Sequence, residues 1–143
     1  MRVSEIMQMD LITCAPTDTV TVAARTMHAH SVGAVLVMDG GRLAGIFTER
    51  DLVALMAEGH DARDRPVSAV MTRDVCMAPP DADLLWAAEM MRRRRVRHLP
   101  VGDDGMVVGI VSLRDLFVFA ESVLRLDPDG AETARDVLAA VSG

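Results

Sequence analysis

Two short segments of this chain carry the residue types from which a binding site can be built. Gly45-Ile46-Phe47-Thr48-Glu49-Arg50-Asp51 and Gly109-Ile110-Val111-Ser112-Leu113-Arg114-Asp115 share one form: glycine, two apolar residues, a hydroxyl, two further residues, an aspartate. At a strand-to-helix junction, unpaired first-turn N–H groups and the positive end of the helix dipole converge on one spot, which suits an anion. A carboxylate three residues after the hydroxyl lies on the same helix face. Its oxygens can accept both hydroxyls of a ribose diol while the hydroxyl and the amides meet a phosphate. Those are the requirements of a nucleotide. A purely local alternative is a capping box, in which the Thr or Ser satisfies a free N–H of the first turn. Aspartate is shorter than the usual Glu or Gln, so it is expected to reach back to its own N-cap poorly.

Both segments belong to a longer duplication. Residues 3–52 recur as 67–116 at a constant offset of 64 with no gap, through pairs such as Met7 and Met71, Ala23-Ala24 and Ala87-Ala88, Gly45 and Gly109, and Asp51-Leu52 and Asp115-Leu116. Two copies are too few for a solenoid and predict two half-domains about a pseudo-twofold axis, with two related clefts at their seam. The expected partition is a first repeat over 1–58, a connector over 59–66, a second repeat over 67–124 and a helical tail over 125–143.

The elements that position the two segments follow from periodicity. Leu11–Cys14 reads as a brief strand closed by Pro16, and Val20, Ala23, Ala24 and Met27 fall at helical spacing behind Thr17-Asp18-Thr19. Val35–Met38 and Leu43–Phe47 read as strands joined by the hairpin signal Asp39-Gly40-Gly41, and Thr48 opens a second helix. The second copy predicts a strand over 75–77, a helix over 84–93, strands over 99–101 and 107–111, and a helix from Ser112 to about Leu124. A tail helix over 132–141 carries the apolar stripe Ala134, Val137, Leu138 and Val141, which needs a partner in this chain or in a second one.

Composition excludes several chemistries. All fifteen basic residues are arginine, and the absence of lysine rules out a Walker-type phosphate lysine, a Schiff base and a pyridoxal site. A formal charge of −6 disfavours a dedicated nucleic-acid binder. Cys14 and Cys76 occupy non-equivalent repeat positions and have no CxxC spacing, so they read as structural thiols rather than a disulfide or zinc framework. No apolar run approaches the roughly 18 residues that span a bilayer, and no signal-peptide core follows the start, so a cytoplasmic protein is expected.

The whole pattern resembles a tandem pair of CBS domains, the cystathionine-β-synthase-type regulatory modules. The match is carried by Val67-Ser68-Ala69-Val70-Met71-Thr72, Leu84, Ala87-Ala88, Met91, Val96-Arg97-His98-Leu99-Pro100-Val101, Gly105 and Gly109–Leu116, and in the first copy by Val3–Met7, Thr13, Pro16, Ala23, Met27, Gly41 and Gly45–Leu52. The resemblance covers roughly residues 1–122. It implies an α/β (α+β) fold in which each repeat packs a small sheet with two helices, and adenosine-type ligands (AMP, ADP, ATP or a related adenosyl compound) in the seam between repeats. It further implies that the aspartate holds the ribose, that the hydroxyl and nearby basic groups hold phosphate, and that strand-edge backbone with apolar side chains holds the base. Carried over residue by residue, one cleft uses Thr13, Ala15, Thr48 and Asp51, and the other uses Met77, Arg97, His98, Ser112, Arg114 and Asp115. The clefts are chemically unequal: Gly33-Ala34 stands in the first copy where Arg97-His98 stands in the second, Leu36 where Pro100 stands, and Thr13 where Met77 stands.

The run Arg92–Arg95 with Arg97 reads first as a solvated helix C-terminus, where cations meet the negative dipole end, with phosphate or nucleic-acid contact as alternatives. His28 and His30, two apart, point to different helix faces, and no metal site is expected. The methionines read as core fillers and as an adaptable dimer surface. No hydroxyl or thiol has a recognisable base partner, so no catalytic residue and no enzyme activity are expected. The expectation is a stand-alone sensor module that binds an adenosine nucleotide as its regulatory ligand, needs no resident cofactor, forms a homodimer and serves an unidentified regulated protein. The alternatives are a ligand-free dimeric scaffold and nucleic-acid binding through the arginine run.

Overall fold

The computed structural model describes residues 1–59, 61–129 and 131–142. His60 of the expected connector, Gly130 of the turn before the tail helix and Gly143 lie outside the described residues. The chain forms two compact units, one of residues 10–75 and the other of residues 1–9 with 76–143. The units cut across the sequence repeats. Residues 1–9, which open the first copy, belong with the second, and residues 67–75, which open the second, belong with the first.

In the unit of residues 10–75, β1 (Thr13–Cys14), α1 (Val20–His30), β2 (Ala34–Asp39), β3 (Arg42–Thr48) and α2 (Glu49–Ala57) follow in chain order. The sheet order is β1-β2-β3, with β1 parallel to β2 and β2 antiparallel to β3. Thr19 caps α1 by accepting from the Val22 N–H at 3.2 Å, and the helix ends at Ser31 in the left-handed region at φ 53°. The hairpin turns on Gly40 and Gly41 at φ 58° and 81°, which glycine adopts without Cβ strain. Val20, Ala23 and Met27 of α1 face Val35, Val37 and the fully buried Phe47, closing the core with Val67 and Met71. Each of these Val, Met and Phe side chains withdrawn from water is worth about 1.5–3 kcal/mol.

The other unit contains α3 (Leu84–Arg94), β4 (His98–Asp103), β5 (Met106–Ser112), α4 (Leu113–Leu126) and α5 (Glu132–Ser142). Its core is Leu84, Ala87, Ala88, Met91, Leu99, Val101, Val111 and Leu116, with Val3 from the opening segment. The strand expected over 75–77 does not form, and Ala78 makes a single parallel bridge to Val101. The reason is in the partner strand. In the first copy the Leu36 N–H donates to the Ile12 carbonyl at 3.0 Å, whereas the equivalent residue here is Pro100, which has no N–H. Pro79 and Pro80 then prevent the ladder from continuing. The tail stripe finds its partner within its own unit: α5 packs on α3 and α4, burying Ala134 and Val137 completely.

Each opening segment is held by the same device. The Ile46 N–H donates to the Thr72 carbonyl at 2.9 Å and the Ile46 carbonyl accepts from the Thr72 N–H, and Ile110 exchanges the same pair of bonds with Gln8. Beside these bridges a methionine lies over a strand glycine. A Cβ on Gly45 would sit 2.6 Å from the Met71 Sδ and 2.7 Å from the Thr72 carbonyl oxygen, and one on Gly109 would run into the Met7 side chain. The recurrence of Met7 with Met71 and of Gly45 with Gly109 is thus one packing requirement stated twice.

Candidate functional site

β3 and β5 each deliver their hydroxyl to a helix start. Thr48 and Ser112 are the N-cap residues of α2 and α4, with extended backbone at ψ 166° and 163°. The Asp51 N–H donates to Thr48 Oγ1 at 3.3 Å. Asp51 Oδ2 accepts from the Thr48 N–H at 2.9 Å and from the Thr48 hydroxyl at 3.0 Å. In the other unit the Asp115 N–H donates to Ser112 Oγ at 3.1 Å and Asp115 Oδ2 accepts from the Ser112 N–H at 2.8 Å.

Two expectations are corrected by this geometry. Aspartate does reach back to its own N-cap, because the extended cap residue directs its N–H over the first turn and a short side chain suffices. The first-turn amides are also largely engaged internally. The Glu49 N–H donates to the Gly33 carbonyl at 3.0 Å and the Leu113 N–H to the Arg97 carbonyl at 2.8 Å. With the cap and third-residue amides inside the capping box, little of the anion cradle read from the sequence remains. What each site offers is its aspartate's second oxygen. Asp115 Oδ1 already receives the Gln8 side-chain amide in a long 3.4 Å contact at an exposed position.

Gln8, which touches Asp115, is not among the residues the sequence singles out. It stands 64 residues before Thr72, so the opening segments bring Gln8 beside one aspartate-bearing unit and a threonine to the equivalent strand edge of the other. The pairing is non-local and leaves no spacing to read.

The remaining expected residues divide between the two units. Thr13 pairs with Leu36 on β1, while Ala34 pairs with Thr48 across β2 and β3. Leu36 pairs in turn with Ile46, so Thr13 is two strand spacings across the sheet and two residues along it from the cap, roughly 12 Å. Thr13 and Ala15 are exposed, and the Ala15 N–H is held by Asp18 Oδ2 at 2.8 Å. Between them the Cys14 thiol is pushed up to about 11, first by burial and then by the Asp18 charge. In the other unit His98 lies opposite Ser112 in the β4–β5 register, and Arg97 and Arg114 are exposed beside the start of α4. Met77 is half-buried next to the Ala78 bridge. Arg92–Arg95 are exposed at the C-terminal end of α3, with Arg95 in the left-handed cap position at φ 54°. An apolar cavity of about 400 Å³ lined by Val20, Leu52, Leu55, Met56 and Ala62 includes none of the expected site residues. Among the described residues no group of three His, Cys, Asp or Glu side chains could hold a metal ion, and no helix is long and apolar enough to cross a membrane.

Comparison with known proteins gives consistent findings. The model of the "CBS domain" family matches residues 3–58 and 67–121. The CBS domain-containing protein YhcV of Bacillus subtilis is 37% identical over 117 residues, covering 81% of this chain and 83% of that protein. Among solved structures, the CBS domain protein PAE2072 from Pyrobaculum aerophilum complexed with AMP superposes with a TM-score of 0.74 at 27% identity, over 81% of this chain and 90% of that one. The CBS domain pair of protein MJ0100 in complex with 5′-methylthioadenosine and S-adenosyl-L-methionine superposes with a TM-score of 0.78 at 27% identity, over 85% and 97%.

Proposed function

The chain belongs to the CBS-domain family, and from that premise we propose that it is a stand-alone regulatory module that binds adenosine-type ligands. The observation that carries the proposal is the pair of homologous strand exits. Each fixes a carboxylate by one oxygen in a capping box, and structural relatives of this chain hold AMP, 5′-methylthioadenosine and S-adenosylmethionine. In this reading Asp51 and Asp115 turn their remaining oxygens to the ribose hydroxyls. A carboxylate accepting two hydroxyls makes charge-assisted bonds that need no further basic group. Gln8 is displaced from Asp115 when the sugar arrives. Thr13 and Ala15 in one unit, and Met77 in the other, meet the base, and Arg97, His98 and Arg114 meet a phosphate. Occupancy changes what a regulated partner protein encounters. The setting is cytoplasmic, which the two free thiols suit.

The test is thermal unfolding of the chain against AMP, ADP, ATP, 5′-methylthioadenosine and S-adenosylmethionine. A ligand at one hundred times its dissociation constant adds about 2.7 kcal/mol, which raises the melting temperature of a chain this size by roughly 5–10 °C. Asp51→Asn and Asp115→Asn together abolish the shift. Flat melting curves with every compound would overturn the proposal.

One observation favours a second reading, a ligand-free dimeric scaffold: both capping boxes are complete from the chain's own atoms. Val53 and Met56 on α2 and Phe117 and Val118 on α4 are exposed apolar positions through which two copies would join. On that reading Asp51→Asn and Asp115→Asn lower stability and change no ligand response.

A further inference from the structure

We infer that the two sites sort adenosyl ligands by the charge of the tail: the Thr48–Asp51 site takes one without negative charge, and the Ser112–Asp115 site takes a phosphorylated one. The inference rests on the adenosine-binding reading above and adds to it which ligand goes where. Its basis is a backbone bond that both units share. The first residue of α2, Glu49, is tied through its N–H to the carbonyl of Gly33 at 3.0 Å, and the first residue of α4, Leu113, is tied to the carbonyl of Arg97 at 2.8 Å. Residues 33 and 49, and residues 97 and 113, therefore flank the cap at the same place in each unit. At that place one unit carries a carboxylate and no side chain, and the other carries a guanidinium and an isobutyl group.

The rest of the first turn is common to both, Arg50-Asp51 matching Arg114-Asp115. Counting the flanking pair with these two residues, the formal charge is −1 around Thr48 and +1 around Ser112. The neighbouring strand position deepens the contrast, with Ala34 opposite Thr48 and His98 opposite Ser112. A polyphosphate tail leaving a ribose held on Asp51 meets Glu49, whereas a tail leaving Asp115 meets Arg97. Glu49 and Arg97 are both exposed, so screening limits each contribution to about tenfold in affinity at low salt. The first-turn acid that stabilises α2 through its dipole is thus also a filter against anions.

The experiment isolates one site at a time and exchanges the flanking residues between repeats. Isothermal titration with adenosine and with ATP is run on Asp115→Asn, which keeps the Thr48–Asp51 site, and on Asp51→Asn, which keeps the other, at 50 and 300 mM NaCl. Asp115→Asn is expected to bind adenosine more tightly than ATP, and adding Glu49→Leu raises ATP affinity about tenfold with adenosine unchanged. Asp51→Asn is expected to prefer ATP, and adding Arg97→Gly lowers ATP affinity about tenfold, removes most of its salt dependence and leaves adenosine unchanged. Arg97→Lys keeps the preference. Each exchange installs the residue that the sister repeat already carries, and the unliganded melting temperature of each variant checks its fold. Equal ATP-to-adenosine ratios at the two sites, or ratios that the exchanges leave unmoved, overturn this inference and leave the adenosine-binding reading standing. No binding of either compound by the unmutated chain overturns this inference, and only flat melting curves with the whole panel overturn the adenosine-binding reading as well.

Discussion

Asp51 and Asp115 each perform a structural task with one oxygen, and the second oxygen is where any ligand chemistry has to act. The structural task can be measured alone. Ser112→Ala removes the acceptor for the Asp115 N–H and is expected to lower stability by about 1 kcal/mol in a denaturant titration. The sequence made the hydroxyl–carboxylate pair visible, but it did not show that the short acid closes the box, because that depends on the cap residue's ψ. Cys14 supplies a second measurement at this scale. Its native thiol is raised from 9.0 to about 11, so its stabilising contribution is complete below about pH 9 and is lost as pH climbs through about 11. Since the thiolate is the nucleophile, iodoacetamide at pH 8 is expected to label Cys14 far more slowly in the native chain than in the same chain in denaturant. Equal rates would mean that the thiol is not buried.

Helices and hairpins were the most legible elements because their signals are local. The spacing of Val20, Ala23 and Met27 gave α1, Leu84 with Ala87-Ala88 and Met91 gave α3, and Asp39-Gly40-Gly41 gave the hairpin turn. The strand expected over 75–77 failed for a non-local reason: its partner presents Pro100 where the sister strand presents Leu36. Proline was readable in the sequence, but its consequence required knowing which strand lay beside it. The glycine–methionine contacts are non-local in the same way. Gly109→Ala is expected to destabilise by about 1–3 kcal/mol through overpacking against Met7. Adding Met7→Ala should recover much of that loss, giving a large coupling in a double-mutant cycle. Gly45→Ala is expected to be rescued less by Met71→Ala, because the Thr72 carbonyl oxygen would still stand 2.7 Å from the new Cβ.

For the whole molecule, the duplication predicts two repeats, and the two compact units the chain forms are a different partition from those repeats. Nothing in the repeat itself announces that residues 1–9 serve the second copy, since Met7 and Met71 would fit either glycine equally well as sequence. The exchange can be tested by deleting residues 1–9 and following amide hydrogen exchange. The Ile110 N–H, bonded to the Gln8 carbonyl at 2.9 Å, is expected to lose protection while the Ile46 N–H, bonded to Thr72, keeps it. Loss at Ile46 with protection kept at Ile110 would reverse the assignment. The same exchange leaves a single repeat incomplete on its own. One repeat alone would carry an opening segment that completes another copy, so it would have to come in twos, each molecule lending its first residues to its neighbour. With two copies on one chain that loan is made within a single molecule, so completing each unit does not depend on protein concentration.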